Sequence, residues 1–225
     1  MPRAVIFDVD GTLVDSVDLH TRAWHDAFLH YGRDIPYEDV RYQIGKGGDQ
    51  LMPVFFTPEE LRHFGEEMQE FRSRIYRERY MSQVRPFPGV RPVFERIKRD
   101  GKRIALASSA DREEFEANLK LLGVGDLLDG ATSAQDAERS KPFPDIFEAA
   151  LAKLEGVRAG EAVAVGDTHY DALAAGQIGL RTIGVLCGGF PEEDLRAAGC
   201  VEIWKDPADL LANYERSAVH REEPA

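Results

Sequence analysis

Two aspartates separated by one residue follow the first apolar run of the chain, and such a pair can perform acid, base or nucleophilic chemistry. The run at residues 4–7 is followed by Asp8-Val9-Asp10-Gly11-Thr12. On an extended strand the two carboxylates would point to opposite faces, but Gly11 can bend the chain and bring Asp10 back over Asp8. An acidic turn that caps a helix explains these residues about as well. Taken alone, the pair leaves a catalytic and a structural interpretation open.

Hydroxyl and ammonium groups follow later apolar runs. Ser108 and Ser109 come directly after residues 104–107, and Lys141 lies in a loop that Pro142 stiffens. A hydroxyl with backbone N–H groups near a helix start can cradle a phosphate, although serines also commonly cap helices. A stiff loop can aim an ammonium group, although most lysines are solvated surface charges. These residues indicate an anion site only if the fold brings them together.

A second acidic segment, Gly166-Asp167-Thr168-His169-Tyr170-Asp171, follows the apolar run at residues 163–165. Mg²⁺ takes a few oxygen ligands and keeps several waters, so Asp8, Asp167 and a backbone carbonyl would suffice to hold it. We expect Asp171 to orient the site rather than to bind the ion. A helix cap formed by Thr168 is the structural alternative.

The elements that must position these residues alternate along the chain. Short apolar, β-branched runs are separated mostly by stretches with helical spacing, which predicts an α/β fold with a mostly parallel sheet. The runs begin near Ala4, Arg103, Leu128, Ala162, Arg181 and Val201. Gly101, Gly123 and Gly156 are typical of residues just past helix ends, and Asp206-Pro207 is typical of a helix start.

The interval between the first strand and Arg103 shows only helical periodicity, which predicts an inserted helical bundle. We place this cap segment at residues 16–84, between the two core parts 1–15 and 85–225, and expect a frayed tail from Glu215. The loop at residues 45–49 contains Lys46 and could reach a substrate or be a solvated turn. His20 and Trp24 lie one turn apart, and we expect Trp24 to pack within the cap while His20 could face the site.

Composition narrows the class of partner. The net charge of −12 disfavours nucleic acids and anionic membranes, because clustered Lys and Arg recruit those partners. No run approaches the roughly 18 apolar residues of a membrane span, and no signal peptide is recognisable. We therefore expect a cytoplasmic protein with a small-molecule substrate, present as a monomer or homodimer.

Taken together, these motifs resemble those of the haloacid dehalogenase superfamily of phosphohydrolases, which has an Asp-x-Asp-x-Thr run, a Ser or Thr, a Lys, and an acidic pair in Gly-Asp-x-x-x-Asp. In this chain they fall on Asp8, Asp10, Thr12, Ser108, Lys141, Asp167 and Asp171. The resemblance covers nearly the whole chain and implies a Rossmann-like core with a helical cap. That arrangement is similar to the subgroup of phosphoglycolate phosphatases and β-phosphoglucomutases.

The resemblance implies a phosphatase that acts on a small phosphorylated metabolite. It implies that Asp8 forms an aspartyl phosphate, that Asp10 acts as acid and base, and that Ser108 and Lys141 assist. We expect Asp8, Asp10 and Asp167 to hold Mg²⁺. The expected substrate-binding residues are Thr12, Ser109, His20 and Lys46.

Three other functions fit parts of this pattern. Residues 19–24 and 105–108 look like stretches of β-phosphoglucomutase, but Gly166-Asp167 stands where that enzyme would have a Glu-Asp pair. A true dehalogenase would lack the second aspartate, so Asp10 argues against it. A phospho-aspartate receiver module would not carry its acceptor on the first strand or contain such a cap.

Overall fold

A computed structural model describes residues 1–221 of the 225-residue chain. The strands are β1 (Ala4–Phe7), β2 (Val14–Asp15), β3 (Arg85–Pro86), β4 (Arg103–Ala107), β5 (Gly130–Thr132), β6 (Ala162–Gly166), β7 (Arg181–Val185) and β8 (Cys200–Trp204). The helices are α1 (Val17–His30), α2 (Tyr37–Tyr42), α3 (Gly48–Leu51), α4 (Pro58–Ile75), α5 (Val90–Arg99), α6 (Arg112–Leu122), α7 (Asp145–Ala152), α8 (His169–Gln177), α9 (Glu192–Ala197) and α10 (Pro207–Ala212). A π-helical turn, Tyr76–Tyr80, continues α4.

Six strands form one parallel sheet in the order β5-β4-β1-β6-β7-β8. All residues of β1 are buried, as expected for a central strand covered on both faces. Phe7 packs on Phe94 of α5 with ring centres 4.7 Å apart, and Ile6 belongs to the cluster on the other face with Phe147 of α7. The predicted α/β class and parallel core are confirmed.

The helix signals in the sequence agree with the structure. Gly123 follows α6 with a φ of +61°, a left-handed conformation that glycine adopts at little cost. Asp206 caps α10 by accepting a hydrogen bond from the Asp209 amide, with Pro207 at the first helical position. These local signals need no distant partner, which is why the sequence shows them.

The helices α1 to α4 lie between β2 and β3 and have a hydrophobic cluster of their own. Its buried members include Trp24, Phe28, Leu51 and Met68. The two-residue strands β2 and β3 pair in antiparallel fashion and were not predicted, because Arg85-Pro86 lies in a proline-rich stretch that indicates a hinge. The pair brings both ends of the helical segment together, and we propose it as the base of the cap segment.

The predicted frayed tail from Glu215 is wrong for the described part of that tail. Ser217, Ala218 and Val219 are buried, and Glu215 forms an ion pair with Arg96 of α5. These contacts are long-range, so the polar composition of the segment did not indicate them. Residues 222–225 of the predicted tail lie outside the described residues.

Within residues 1–221, no helix is both long enough and apolar enough to cross a bilayer.

Candidate active site

The site lies where β1, β4 and β6 end side by side. Phe7 is in register with Leu106 on one neighbouring strand and Val165 on the other, so the residues that follow the three strands meet at one sheet edge. Gly11 then turns the chain with a φ of +84°, and its amide donates to the Val14 carbonyl at 2.8 Å. The turn places Asp10 beside Asp8 at the mouth of the same cavity.

Asp8 and Lys141 form a buried ion pair. The Lys141 Nζ lies 2.5 Å from Asp8 Oδ1 and 2.7 Å from Asp171 Oδ1, and it is almost fully buried. Burial opposes the charge on Lys141, but Asp171 and Asp8 outweigh it and raise the pKa of the ammonium. Burial raises the pKa of Asp8 to about 7 against the lowering effect of Lys141. The single positive charge of Lys141 therefore does not balance the negative charges of Asp8 and Asp171.

Oxygens of Asp8, Asp167 and Asp171 lie within 4.8 Å of one another, and all three residues are buried. Burial, followed by the charges of Asp8 and Asp171, raises the pKa of Asp167 well above its ordinary value. The Thr12 hydroxyl lies 3.1 Å from Asp8 Oδ2 and 3.0 Å from Asp167 Oδ1. The Thr12 hydroxyl is fully buried and contacts both carboxylates, and the predicted contact of Thr12 with substrate stays a prediction.

The residues present at this cluster fit a divalent cation. Asp167 Oδ2 is buried and has no hydrogen-bond partner among residues 1–221, as an oxygen that meets a cation would be. A Cβ on Gly11 or Gly188 would clash with the Asp167 carboxylate, so both glycines keep space beside it. The carboxyl groups outnumber the single ammonium of Lys141, so a divalent ion would balance the charge.

The carboxylate of Asp10 lies in a different network from the acidic cluster. Its Oδ1 is within 2.8 Å of the Ser16 hydroxyl, 3.0 Å of His20 Nε2 and 3.2 Å of Asn118 Nδ2, and its Oδ2 is 3.4 Å from the Ser108 hydroxyl. Burial would raise the pKa of Asp10, but His20 and its other partners lower it below its ordinary value. The Asp10 carboxylate is thus separate from the acidic cluster, and the predicted part of Asp10 in holding the metal stays a prediction.

The other predicted positions surround these two networks. Asp171 accepts hydrogen bonds from the Thr168 hydroxyl at 2.7 Å and the Thr168 amide at 3.0 Å, so it is held in place while it pairs with Lys141. Ser108 is fully buried and also accepts a hydrogen bond from the Ala110 amide at 3.1 Å. The orienting role of Asp171 and the catalytic role of Ser108 both stay predictions.

A cavity of about 1050 Å³ opens above Asp8 and Asp10 between the core and the helices α1, α3 and α4. Ser109 lines it with a buried hydroxyl that has no hydrogen-bond partner within the described residues. Trp24 also lines the cavity, and it is otherwise packed against Phe28 in the cluster of the helical segment. The cap side of the cavity is thus mixed, with apolar Trp24 and Leu61 among charged side chains such as Arg77.

The glycine-rich loop at residues 45–49 closes one side of the cavity. Lys46 lines it, donates to the Gln43 amide oxygen at 2.6 Å and lies 4.6 Å from the ring centre of Tyr170. Burial lowers the pKa of the Lys46 ammonium. Gly45 has a φ of +106° and lies against Thr168, while the Ser140 amide donates to Asp49 at 3.1 Å. The loop therefore contacts both core loops that carry site residues.

Four further residues of the Asp10 network were not predicted from the sequence, namely Ser16, Arg72, Glu114 and Asn118. Glu114 and Asn118 share a face of α6 with Leu122, and all three are buried. Arg72 lies one turn after Met68 on the buried face of α4. A charged or amide residue at helical spacing on an apolar face was the available signal.

Comparisons with known proteins agree with this architecture. Residues 5–185 match the family model of haloacid dehalogenase-like hydrolases. The chain is 35% identical over 214 residues to the Arabidopsis thaliana protein SUPPRESSOR OF QUENCHING 1, chloroplastic, covering 93% of this chain and 20% of that protein. It is 28% identical over 184 residues to the pyrophosphatase PpaX of Bacillus velezensis, covering 81% of this chain and 82% of the relative.

Among solved structures, a hydrolase from Pseudomonas syringae superposes with a TM-score of 0.87 at 29% identity. The superposition covers 96% of this chain and 99% of that hydrolase. The chain therefore spans a fifth of the Arabidopsis protein and nearly the whole of the bacterial hydrolase.

Proposed function

We propose that this chain, which belongs to the haloacid dehalogenase-like hydrolase family and is a phosphatase, hydrolyses a small phosphorylated metabolite. In this proposal the reaction passes through an aspartyl phosphate on Asp8, and Mg²⁺ is the cofactor. The observation that carries this proposal is the pairing of two different carboxylates at one cavity. Asp8 faces a cation and the acidic cluster, while Asp10 faces neutral and cationic donors. The different environments of Asp8 and Asp10 suit one carboxylate to act as nucleophile and the other as acid and base.

Asp8 is the proposed nucleophile. Its carboxylate attacks phosphorus, the new bond joins an Asp8 oxygen to phosphorus, and the ester bond to the leaving oxygen breaks. Lys141 and Thr12 hold the two Asp8 oxygens, at 2.5 and 3.1 Å, which limits rotation of the carboxylate. The ammonium also favours the ionised form that can attack.

Asp10 is the proposed acid and base. Its lowered pKa keeps it ionised in the resting site, and the negative charge of an arriving phosphate favours proton uptake. The protonated carboxyl then gives its proton to the departing alkoxide, and the resulting carboxylate removes a proton from the water that hydrolyses the aspartyl phosphate. Ser109, which follows β4 and lines the cavity, is the proposed hydroxyl donor to the phosphate oxygens, and the buried Ser108 beside it contacts Asp10.

Mg²⁺ would be held by Asp8 and Asp167, with Asp171 beside them fixed by Thr168 and Lys141. When bound, the ion supplies positive charge for the phosphoryl oxygens. The protein residues around it supply the rest, because Thr12 and the glycines at 11 and 188 keep the Asp167 carboxylate in position.

The proposal is tested by phosphate release from a panel containing p-nitrophenyl phosphate, phosphoglycolate, hexose phosphates, nucleotides and pyrophosphate. Pyrophosphate is included because of the similarity to PpaX. We expect Mg²⁺-dependent release that EDTA abolishes and that Asp8→Asn abolishes in the folded protein. Substantial phosphatase activity in Asp8→Asn would contradict the assignment of Asp8 as the nucleophile.

A mutase and a phosphatase differ in their product. Glucose 6-phosphate formed from β-glucose 1-phosphate, in place of free phosphate, would support the mutase alternative. The receiver-module alternative is wrong, because the family model that matches residues 5–185 is that of a hydrolase.

A further inference from the structure

The turn that follows β7, residues 187–190, lies directly beside the Asp167 carboxylate, and we call it the β7 turn. Gly188 of this turn is buried, and a Cβ built on it would stand 1.8 Å from Asp167 Oδ2. The Cys187 thiol on the same turn donates to the Gly11 carbonyl at 3.2 Å. The backbone of the β7 turn is therefore one wall of the acidic cluster.

The opposite side of the β7 turn is held by the cap segment. Arg41 of α2 donates from its two terminal nitrogens to the carbonyls of Gly188, at 2.9 Å, and Gly189, at 3.3 Å. Phe190 is buried and belongs to the hydrophobic cluster of the cap segment, together with residues of α1, α2 and α4. A side chain of the core turn is thus packed inside the cap.

The Arg41 guanidinium is fixed in direction by its surroundings. Its Nε donates to Asp18 Oδ1 on α1 at 2.9 Å, and its carbon lies 5.6 Å from the ring centre of Phe190. A guanidinium presents its donors in a rigid fork, so the contact with Asp18 sets the direction of the two terminal nitrogens. Gly189 leaves room for this fork, since a Cβ there would stand 2.5 Å from Arg41 Nη2. The fork is therefore aimed by two cap helices and ends on the core.

These contacts make the surroundings of Asp167 depend on the position of the cap. The Gly188 backbone lies between the Arg41 guanidinium and the Asp167 carboxylate, so a turn released by Arg41 no longer confines Asp167 Oδ2. Groups that hold a metal ligand in place without touching the ion typically change metal affinity by about 10–100-fold when they are removed. Arg41 occupies such a position, although it lies 126 residues before Asp167 in the chain.

We propose that Arg41 is a positioning residue for the metal site, which clamps the β7 turn against Asp167 while the cap is docked, so that Mg²⁺ binding and cap docking strengthen each other. This inference rests on the proposed function, because it takes Mg²⁺ as the ion that Asp167 holds. Arg41 reaches the acidic cluster only through the backbone of the β7 turn. Its effect should therefore appear in the affinity for Mg²⁺.

The first measurement is the affinity of the full-length, EDTA-treated protein for Mg²⁺ alone, by titration calorimetry without substrate. For Arg41→Met we expect the Kd for Mg²⁺ to rise about tenfold, the lower end of the range, because Arg41 acts through backbone rather than on the ligand itself. Arg41→Lys keeps a cationic donor for one carbonyl and should return the Kd to within about threefold of wild type.

Arg33→Met is the matched control for the loss of a cap arginine. Arg33 also pairs with a carboxylate, that of Glu60, and its guanidinium carbon lies 5.5 Å from the ring centre of Phe56. These partners all belong to the cap segment, whereas Arg41 reaches the core. We expect Arg33→Met to leave the Kd for Mg²⁺ unchanged.

A second variant disturbs the same contact from the core side. Gly189→Ala places a Cβ against Arg41 Nη2, and the flexible end of Arg41 must move away. Gly179→Ala is its control, because it puts alanine at a φ of +76° against +78° at Gly189 but meets nothing within 4 Å among residues 1–221. We expect Gly189→Ala to weaken Mg²⁺ binding as Arg41→Met does, and Gly179→Ala to leave it unchanged.

The second measurement tests the reverse direction of the coupling. If a docked cap tightens Mg²⁺ binding, Mg²⁺ must stabilise the docked cap by the same factor. Amide hydrogen exchange in α2 should therefore slow when the wild-type protein is saturated with Mg²⁺. The same addition should have little effect on α2 in Arg41→Met.

Urea unfolding first establishes that each variant is folded, and if Arg41→Met is not, Gly189→Ala decides in its place. A weakened Kd with loss of the exchange effect supports the proposal. An unchanged Kd would show that Arg41 only holds the cap, and an equal rise in Arg33→Met would show that loss of any cap arginine suffices; either result overturns the proposal. A wild-type protein that binds no Mg²⁺ would instead refute the cofactor of the proposed function, and the inference with it.

Discussion

A single methyl group added at Gly188 should disable the site without unfolding the protein. Gly188 follows β7, and a Cβ built on it would stand 1.8 Å from Asp167 Oδ2 and 2.5 Å from Asp167 Cγ. Ordinary van der Waals contact begins at 3.4 Å, so the Asp167 carboxylate or the loop must move by more than about 1 Å. The Gly188 backbone does not have a positive φ, so the effect of alanine is steric rather than conformational.

The expected magnitude follows from the displacement. A misplacement of about 1 Å in a catalytic site can cost roughly 10²-fold in rate, so we expect kcat/KM of Gly188→Ala to fall by about that factor. Overpacking costs about 1–3 kcal/mol, so the free energy of unfolding should fall only within that range. Because Asp167 is a proposed metal ligand, half-maximal activity should also require more Mg²⁺ than in wild type.

The assay is steady-state hydrolysis of p-nitrophenyl phosphate across a Mg²⁺ titration, with urea unfolding to measure stability. Gly160→Ala is the control, since a Cβ there meets nothing within 4 Å and should leave both measurements unchanged. If folded Gly188→Ala keeps kcat/KM within about threefold of wild type, catalysis does not depend on the position of the Asp167 carboxylate beside Gly188.

Three further predictions concern the charges of the site and the loop above it. Because the pKa of Asp8 is raised to about 7, the metal-free protein holds this proton more tightly than the unfolded chain does. The resulting stability, of order 4 kcal/mol, should be fully present below pH 4 and be lost progressively as the pH rises to 7. Urea unfolding in EDTA at pH 5 and 8 should show about 3 kcal/mol of this loss, and Asp8→Asn should flatten the difference. Lys141→Met strands Asp8 and Asp171 in the interior, so we expect about 3–5 kcal/mol of destabilisation and no turnover, and a loss below about 1 kcal/mol would contradict the buried ion pair. Gly45→Ala places a Cβ 2.7 Å from the Thr168 methyl and should raise KM by lifting the loop. Gly32→Ala also puts alanine at a positive φ, +76° against +106° at Gly45, but its Cβ meets nothing within 4 Å and should leave KM unchanged.

The local signals of the fold were readable without the structure. Strand β1, the turn at Gly11, the cap at Asp206 and the run from Asp8 to Thr12 depend on residues that are neighbours in the chain. Burial on both faces of a parallel sheet produces continuous apolar runs, and the sheet edge then collects whatever polar residues follow them. The two-residue strands β2 and β3 were missed because two residues carry no periodicity.

Long-range contacts decided the roles of the site residues. The sequence did not indicate that the Thr12 hydroxyl contacts two carboxylates, or that the Asp10 carboxylate contacts His20, Ser16 and Asn118. Asn118 lies 108 residues from Asp10, and no local pattern encodes such a contact.

The sequence by itself determined the α/β class, the order of the elements and the set of chemical groups at the sheet edge, because each depends on composition and spacing along the chain. Only the tertiary structure decided which carboxylate belongs to which network. Direction and distance across elements determine hydrogen bonds and the pKa of buried groups, and these are properties of three-dimensional packing. Arg72 and Glu114 illustrate the difference, since they lie 42 residues apart and meet only when α4 packs against α6.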